Sequence, residues 1–236
     1  MRNSSRTWLY RANEKFAATV SAGSRVLDAG AGDQKYGHLF AHCDYESADF
    51  ELVNKPYAKS TYVCDLAAIP VEDGRFDAII FNQVMEHLPQ PALVLNELGR
   101  VLKPGGTMIC SAPLFYEEHE RPYDFYRYTQ FAWHFMMKEA GFTILNIDWL
   151  EGYFGTVAYQ LETASKYLPR RSYRTVPGVL GWSAVPVLIF SRWLFHLLAR
   201  FLYVLDERGK HTSSGFPKNY VVIVQKPAAR PTAARS

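Results

Sequence analysis

Residues 117–129, E-E-H-E-R-P-Y-D-F-Y-R-Y-T, put acids, arginines, a histidine and three tyrosines three residues after the apolar run T-M-I-C-S-A-P. A short loop needs only a few polar turn residues, so this one is either a solvated surface loop or the wall of a site. His119 can take a proton or sit in water. Asp124 and Arg127 can pair locally or meet a ligand. The group E-E-H-E could offer oxygen and nitrogen to a cation, but adjacent acids on a loop are usually only hydrated. No metal is expected.

A second set of chemically capable residues begins at V-L-D-A-G-A-G-D-Q, with Asp28, Gly30 and Gly32 where a first strand turns toward a helix. Glycines there permit positive φ and close approach of a ligand to the backbone. A dinucleotide fingerprint would place a third glycine at position 35, where Lys35 stands, so dinucleotide binding is disfavoured. Asp49 ends the next strand about twenty residues on, placed to accept both hydroxyls of a ribose. Asp65 ends the one after, where a carboxylate can accept from an adenine amino group while Phe50 and Leu66 cover the ring. Each acid alone is an ordinary turn residue. Three of them at successive strand ends favour a nucleoside ligand.

These positions imply a frame. R-V-L-D-A-G, Y-E-S-A-D-F, T-Y-V-C-D, F-D-A-I-I-F-N-Q-V, G-T-M-I-C-S-A-P and T-I-L-N-I-D-W read as strands, and N-Y-V-V-I-V-Q-K as a seventh. P-A-L-V-L-N-E-L-G-R-V-L-K-P-G-G reads as a helix stopped by Pro-Gly-Gly, and T-Q-F-A-W-H-F-M-M-K-E-A-G-F as one capped by Thr129 and ended by Gly141. Strands alternating with helices predict an α/β fold, a Rossmann-like doubly wound sheet of seven strands with the last antiparallel. The expected organisation is an N-terminal helical segment at 1–24, a core at 25–150, an apolar helical insert at 151–218, the final core strand at 219–227 and a disordered tail at 228–236.

Composition narrows the function classes. The 236 residues are 48% hydrophobic and 21% charged with a formal net charge of +3, the profile of a globular enzyme-sized domain and too mild for a nucleic-acid binder. Three cysteines without ligand spacing and a polar N-terminus suggest a reducing, cytoplasmic setting.

Taken in order, V-L-D-A-G-A-G-D, Y-E-S-A-D-F, the run C-D-L-A-A-I-P through C-S-A-P, and E-A-G-F resemble the successive motifs of class I S-adenosylmethionine-dependent methyltransferases of the type 11 group. The resemblance covers about residues 20–150. It departs at Gln34, where many members have a third glycine. It implies S-adenosylmethionine as cofactor: Asp28, Gly30 and Gly32 at the methionine moiety, Asp49 at the ribose, Asp65 and Leu66 at the adenine, and Asn82 and Gln83 at the sulfonium end. In N-Q-V-M-E-H-L-P-Q-P it puts Glu86 and His87 beside the transferred methyl, with His87 either a base or a group that orients the next helix. Tyr123, Asp124 and Arg127 resemble a run found in surface-glycan enzymes. This makes Glu86, Tyr123, Asp124, Tyr126 and Arg127 candidate contacts to a hydroxyl-rich acceptor, the two tyrosines stacking on a sugar face.

The stretch 176–205 is far more apolar than a surface connection. Arg192, His196 and Arg200 recur every four residues on it, and Pro186 interrupts it. It suits a helix lying in a membrane interface, with Arg170, Arg171 and Arg174 adding attraction to anionic lipid; a lid over the acceptor or a homodimer interface would bury the same residues. Three functions stay open: O-methylation of a hydroxyl-rich or lipid-linked acceptor at the inner membrane face, methylation of an isoprenoid quinone or similar lipophile, and an inactive cofactor-binding partner.

Overall fold

A computed structural model describes residues 4–51, 58–174 and 176–228. The tail expected to be disordered lies, from residue 229 onward, outside the described residues. The chain divides into two compact units. One holds residues 9–150 and 219–236, the other 1–8 and 151–218.

The first unit is built on one mixed sheet of seven strands: β1 (Arg25–Ala29), β2 (Asp44–Asp49), β3 (Tyr62–Val63), β4 (Phe76–Asn82), β5 (Leu102–Pro113), β6 (Thr143–Trp149) and β7 (Asn219–Gln225). Their order is β3-β2-β1-β4-β5-β7-β6. β1 pairs in parallel with β2 and β4, as do β2 with β3 and β4 with β5, while β7 runs antiparallel to both β5 and β6. Phe76, Ile79, Ile80 and Phe81 on β4 are buried, as a central strand covered on both faces requires. Burial of each contributes about 1.5–3 kcal/mol relative to exposure.

Helix α1 (Ser4–Ala17) precedes β1, α2 (Pro91–Val101) follows β4, and α3 (Gln130–Glu139) precedes β6. α2 buries Val94, Leu95, Leu98 and Val101, and α3 buries Trp133 and Met137. Thr129 caps α3, its side chain accepting from the Ala132 amide.

Two expectations are corrected. No α-helix follows the glycine turn after β1; turns and a single 3-10 turn, Gly37–Phe40, fill the space, since Gly37 interrupts a short connection and lies against the Tyr45 ring. Helix α2 ends at Val101, ahead of Pro-Gly-Gly, and that tripeptide lies inside the long β5. The register jumps from Phe76↔Leu102 to Ala78↔Thr107, so residues 103–106 bulge out. Gly106 makes the bulge possible: a Cβ there would meet Leu102 Cδ1 at 2.7 Å and Asp77 O at 2.9 Å.

The second unit pairs α4 (Tyr153–Tyr167) with the long α5 (Val179–Arg208). Ala158, Ala199 and Tyr203 form its apolar seam, and the Tyr203 hydroxyl donates to Glu162 Oε2 at 3.0 Å. Arg192 does not extend a free basic stripe. It turns onto the end of α4 and donates from Nη1 to the Lys166 carbonyl at 2.9 Å and to the Leu168 carbonyl. The last carbonyls of a helix lack intrahelical donors, which makes this the favourable place for a guanidinium. The opposite face of α5 is apolar and uncovered: Trp182, Val187, Ile189, Phe190, Trp193, Leu197 and Phe201 are all at least half exposed.

Candidate cofactor and acceptor site

The carboxyl ends of β1, β2 and β4 open into two adjoining cavities of about 340 and 500 Å³. Gly30 and Gln83 line both and so form the ridge between them. A Cβ at Gly30 would stand 2.4 Å from Val84 Cγ2, and its φ is +75°, so the ridge tolerates no side chain.

Asp28, Gly30, Gly32, Asn82 and Gln83 line the smaller cavity, with Leu9, Asp33, Lys35 and Tyr36. Asp28 is buried, and burial, with the charges of Asp49 and Asp33 adding to it, raises its pKa to about 7 against the opposing effect of the Tyr45 hydrogen bond. Asn82 and Gln83 are held by a relay: Gln83 Nε2 donates to Ser111 Oγ (3.1 Å), Ser111 Oγ to Asn82 Oδ1 (2.9 Å), Asn82 Nδ2 to Asn13 Oδ1 (2.8 Å), and Asn13 Nδ2 to the Leu9 carbonyl (2.8 Å). The sequence did not single out Asn13 or Ser111, because nothing local shows that α1 and β5 reach this point.

Gln34 explains the departure from the motif. It adopts φ +54°, the left-handed conformation a glycine would supply, and its Nε2 donates to Ser47 Oγ and the Lys59 carbonyl. Glu51, Gln83 and Glu120 also have positive φ, so strained backbone collects around the two cavities.

The larger cavity has a polar floor of Asp49 and Asp65 and apolar walls that include Phe50, Val63, Leu66 and Leu88. Asp49 is buried; Oδ2 accepts from the Gly32 amide at 2.9 Å and Oδ1 from the Glu51 amide at 3.1 Å. Those bonds aim the carboxylate and leave lone pairs for a diol. Asp65 Oδ1 accepts from the Ala67 amide. An apolar slot with one acid at each expected contact suits a nucleoside, and the glycine ridge leads to a second, polar chamber. The residues present therefore fit S-adenosylmethionine.

The far wall carries His87, Glu120, Tyr123 and Phe125. His87 Nδ1 bonds the Tyr123 carbonyl, so that nitrogen carries the proton and Nε2 keeps its lone pair. Burial lowers the His87 pKa and keeps the ring neutral. His119 does not line the cavity; its ring packs edge-on to His87, centroids 4.7 Å apart.

The other loop residues differ from expectation. Glu86 is not an acceptor contact: its carboxyl is fully buried, and its backbone carbonyl instead accepts from the amides of Phe125 and Tyr126. Burial raises its pKa to about 8. Tyr126 turns away and its hydroxyl donates to the Pro89 carbonyl, while Phe125 takes the lining place beside Tyr123. Alternate residues of an extended segment face the same way, which puts 123 and 125 together. Asp124 and Arg127 are spent on each other, and Arg127 also reaches the carbonyls of Tyr116, Glu117 and Tyr126. That pair holds Asp124 well below the usual carboxylate range. Both act on the loop rather than on the cavity.

The family profile described as "Methyltransferase domain" matches residues 23–110, the span that supplies most of the lining of both cavities. Residues 23–110 are thus similar to a methyltransferase domain of the type 11 group. It is 35% identical over 95 residues to an arsenite methyltransferase of Aquipseudomonas alcaligenes, covering 40% of this chain and 27% of that protein. It is 29% identical over 103 residues to a ubiquinone biosynthesis O-methyltransferase of Xanthomonas oryzae, covering 38% and 43%. The chain thus spans less than half the length of these curated relatives. In fold, it is similar to Haemonchus contortus phosphoethanolamine N-methyltransferase 2 in complex with S-adenosyl-L-methionine, with TM-score 0.56, 16% identity and 94% of this chain on 52% of that one.

Proposed function

We propose that the chain is an S-adenosylmethionine-dependent methyltransferase that O-methylates a hydroxyl-bearing, lipid-linked acceptor at a membrane surface. Bound S-adenosylmethionine supplies an activated methyl on a sulfonium centre. Asp49 and Asp65 hold the nucleoside, Gly30 admits the tail past the ridge, and the Asn82–Gln83 relay fixes the polar groups at the smaller chamber. Alignment and exclusion of water do most of what methyl transfer needs, roughly 7–11 kcal/mol in ideal systems. The acceptor loses its proton at the His87 end of the larger cavity, and Tyr123 and Phe125 offer rings to the acceptor.

One observation carries the membrane part: the uncovered apolar face of α5, which includes Trp182 and Trp193 at about 60% exposure. By length and composition the helix could also cross a membrane. Its inner face favours an interfacial position, because Arg192 and Tyr203 are committed to polar groups of α4. Exposed Arg170, Arg171 and Arg174 precede α5 and complement an anionic headgroup layer. An isoprenoid quinone is the second acceptor class, favoured by the ubiquinone-pathway relative.

The test combines flotation on anionic phospholipid vesicles with transfer of labelled methyl into detergent extracts. The protein should float, and label should enter the organic phase. Trp193→Glu should abolish flotation. Label confined to the aqueous phase, with no flotation, overturns the membrane-held acceptor. Self-association without flotation would assign the α5 face to a second copy.

A further inference from the structure

We propose that Glu86, His87 and His119 form a binding site for one divalent first-row transition-metal ion, open to the acceptor cavity through His87.

The three side chains each place a ligand atom within 4.8 Å of the others. Two atoms bound to one ion at about 2.1 Å can be at most about 4.2 Å apart, so closure by about an ångström of side-chain rotation completes the set. Glu86 supplies the independent sign. Its carboxyl is fully buried, neither oxygen has a hydrogen-bond partner, and Oε1 lies 3.9 Å from His87 Nε2. A buried carboxyl without donors is costly unless something else meets it, and a cation is the group that a carboxylate beside two imidazoles would accept.

Both imidazoles are also arranged as ligands are. A ligating histidine normally donates its other ring nitrogen to a carbonyl or carboxylate, which fixes its tautomer. His87 Nδ1 is on the Tyr123 carbonyl. His119 Nδ1 is 3.3 Å from the Glu117 carbonyl and 3.4 Å from Asp124 Oδ2. The Asp124 carboxylate, clamped by Arg127, also accepts from the His119 amide at 2.8 Å. The crowded polar loop thereby holds His119 against His87. Two imidazoles and a carboxylate suit zinc, iron or manganese rather than magnesium or calcium.

The ion's catalytic use rests on the methyl-transfer reading above, whereas metal binding does not. There it would take the acceptor hydroxyl as a ligand and lower its pKa. The O–H proton passes to water, the oxygen gains the methyl carbon, and the electron pair of the broken C–S bond stays on sulfur.

The experiment titrates zinc into the full chain against a chromophoric chelator and measures S-adenosylmethionine binding separately by calorimetry without zinc. One zinc per chain is expected, with affinity falling at least about tenfold in His119→Ala and in Glu86→Gln. His134→Ala, on an exposed face of α3, should leave it unchanged, and circular dichroism checks that each variant is folded. No stoichiometric zinc, or zinc unaffected by His119→Ala and Glu86→Gln, overturns the site. Zinc as expected without S-adenosylmethionine binding would leave the metal site standing and refute the methyltransferase reading.

Discussion

Arg127 and Asp124 are joined by two parallel hydrogen bonds, Nη1 to Oδ1 at 2.6 Å and Nη2 to Oδ2 at 2.8 Å, and Asp124 is almost fully buried. Arg127→Ala leaves that carboxylate without its countercharge. The loss should be about 3 kcal/mol of stability, read from urea unfolding. Acceptor turnover should fall about a hundredfold as the loop shifts, while S-adenosylmethionine affinity changes by less than about threefold. Equal losses in both would show that the pair serves the cofactor as well.

Asp49 has two roles, since it holds the amides of Gly32 and Glu51 and faces the larger cavity. Asp49→Ala should reduce S-adenosylmethionine affinity by more than about a hundredfold, the loss of two hydrogen bonds to a charged group. Calorimetry measures this, and an affinity within about fivefold of wild type would remove Asp49 from the ribose.

Asp28 gives a pH signature. Its native pKa of about 7 lies above the ordinary value of 3.8, so the folded chain binds more protons than the unfolded chain in that window. The contribution of Asp28 is thus fully present below the ordinary value and is lost as pH rises to about 7, on the order of 4 kcal/mol in all. Asp28→Asn keeps an acceptor for Tyr45 and removes the titration. Its stability relative to wild type should increase between about pH 4 and pH 7, and a flat difference in urea melts refutes the assignment.

Gln34 sets strain against hydrogen bonding. Gln34→Ala keeps the left-handed backbone and loses both side-chain bonds, at a cost of about 1–2 kcal/mol. Gln34→Gly loses the same bonds but relieves about 1–2 kcal/mol of backbone strain, so it should be close to neutral. Urea midpoints that rank glycine below alanine would show that the conformation is not strained.

Much of the frame was legible in the chain itself. Period-two and buried apolar runs, punctuated by glycine, proline and aspartate, marked the seven strands, because those patterns follow from local geometry and one-sided burial. The same logic located Asp28, Asp49 and Asp65, since strand ends in such a sheet must meet at one edge. The β5 bulge escaped it: Pro-Gly-Gly stops a helix wherever it occurs, and only the register of β5 against β4 shows that it lies within a strand.

What the sequence determined, then, is the ordering of strands and helices and the acids at their ends, which depend on residues near in the chain. The tertiary structure decided which side chains face inward. It buried Glu86, turned Tyr126 to Pro89 and Arg192 onto α4, and set His119, on the loop after β5, against His87, after β4. Those outcomes depend on contacts between residues far apart in sequence, where spacing carries no information and packing alone selects the face.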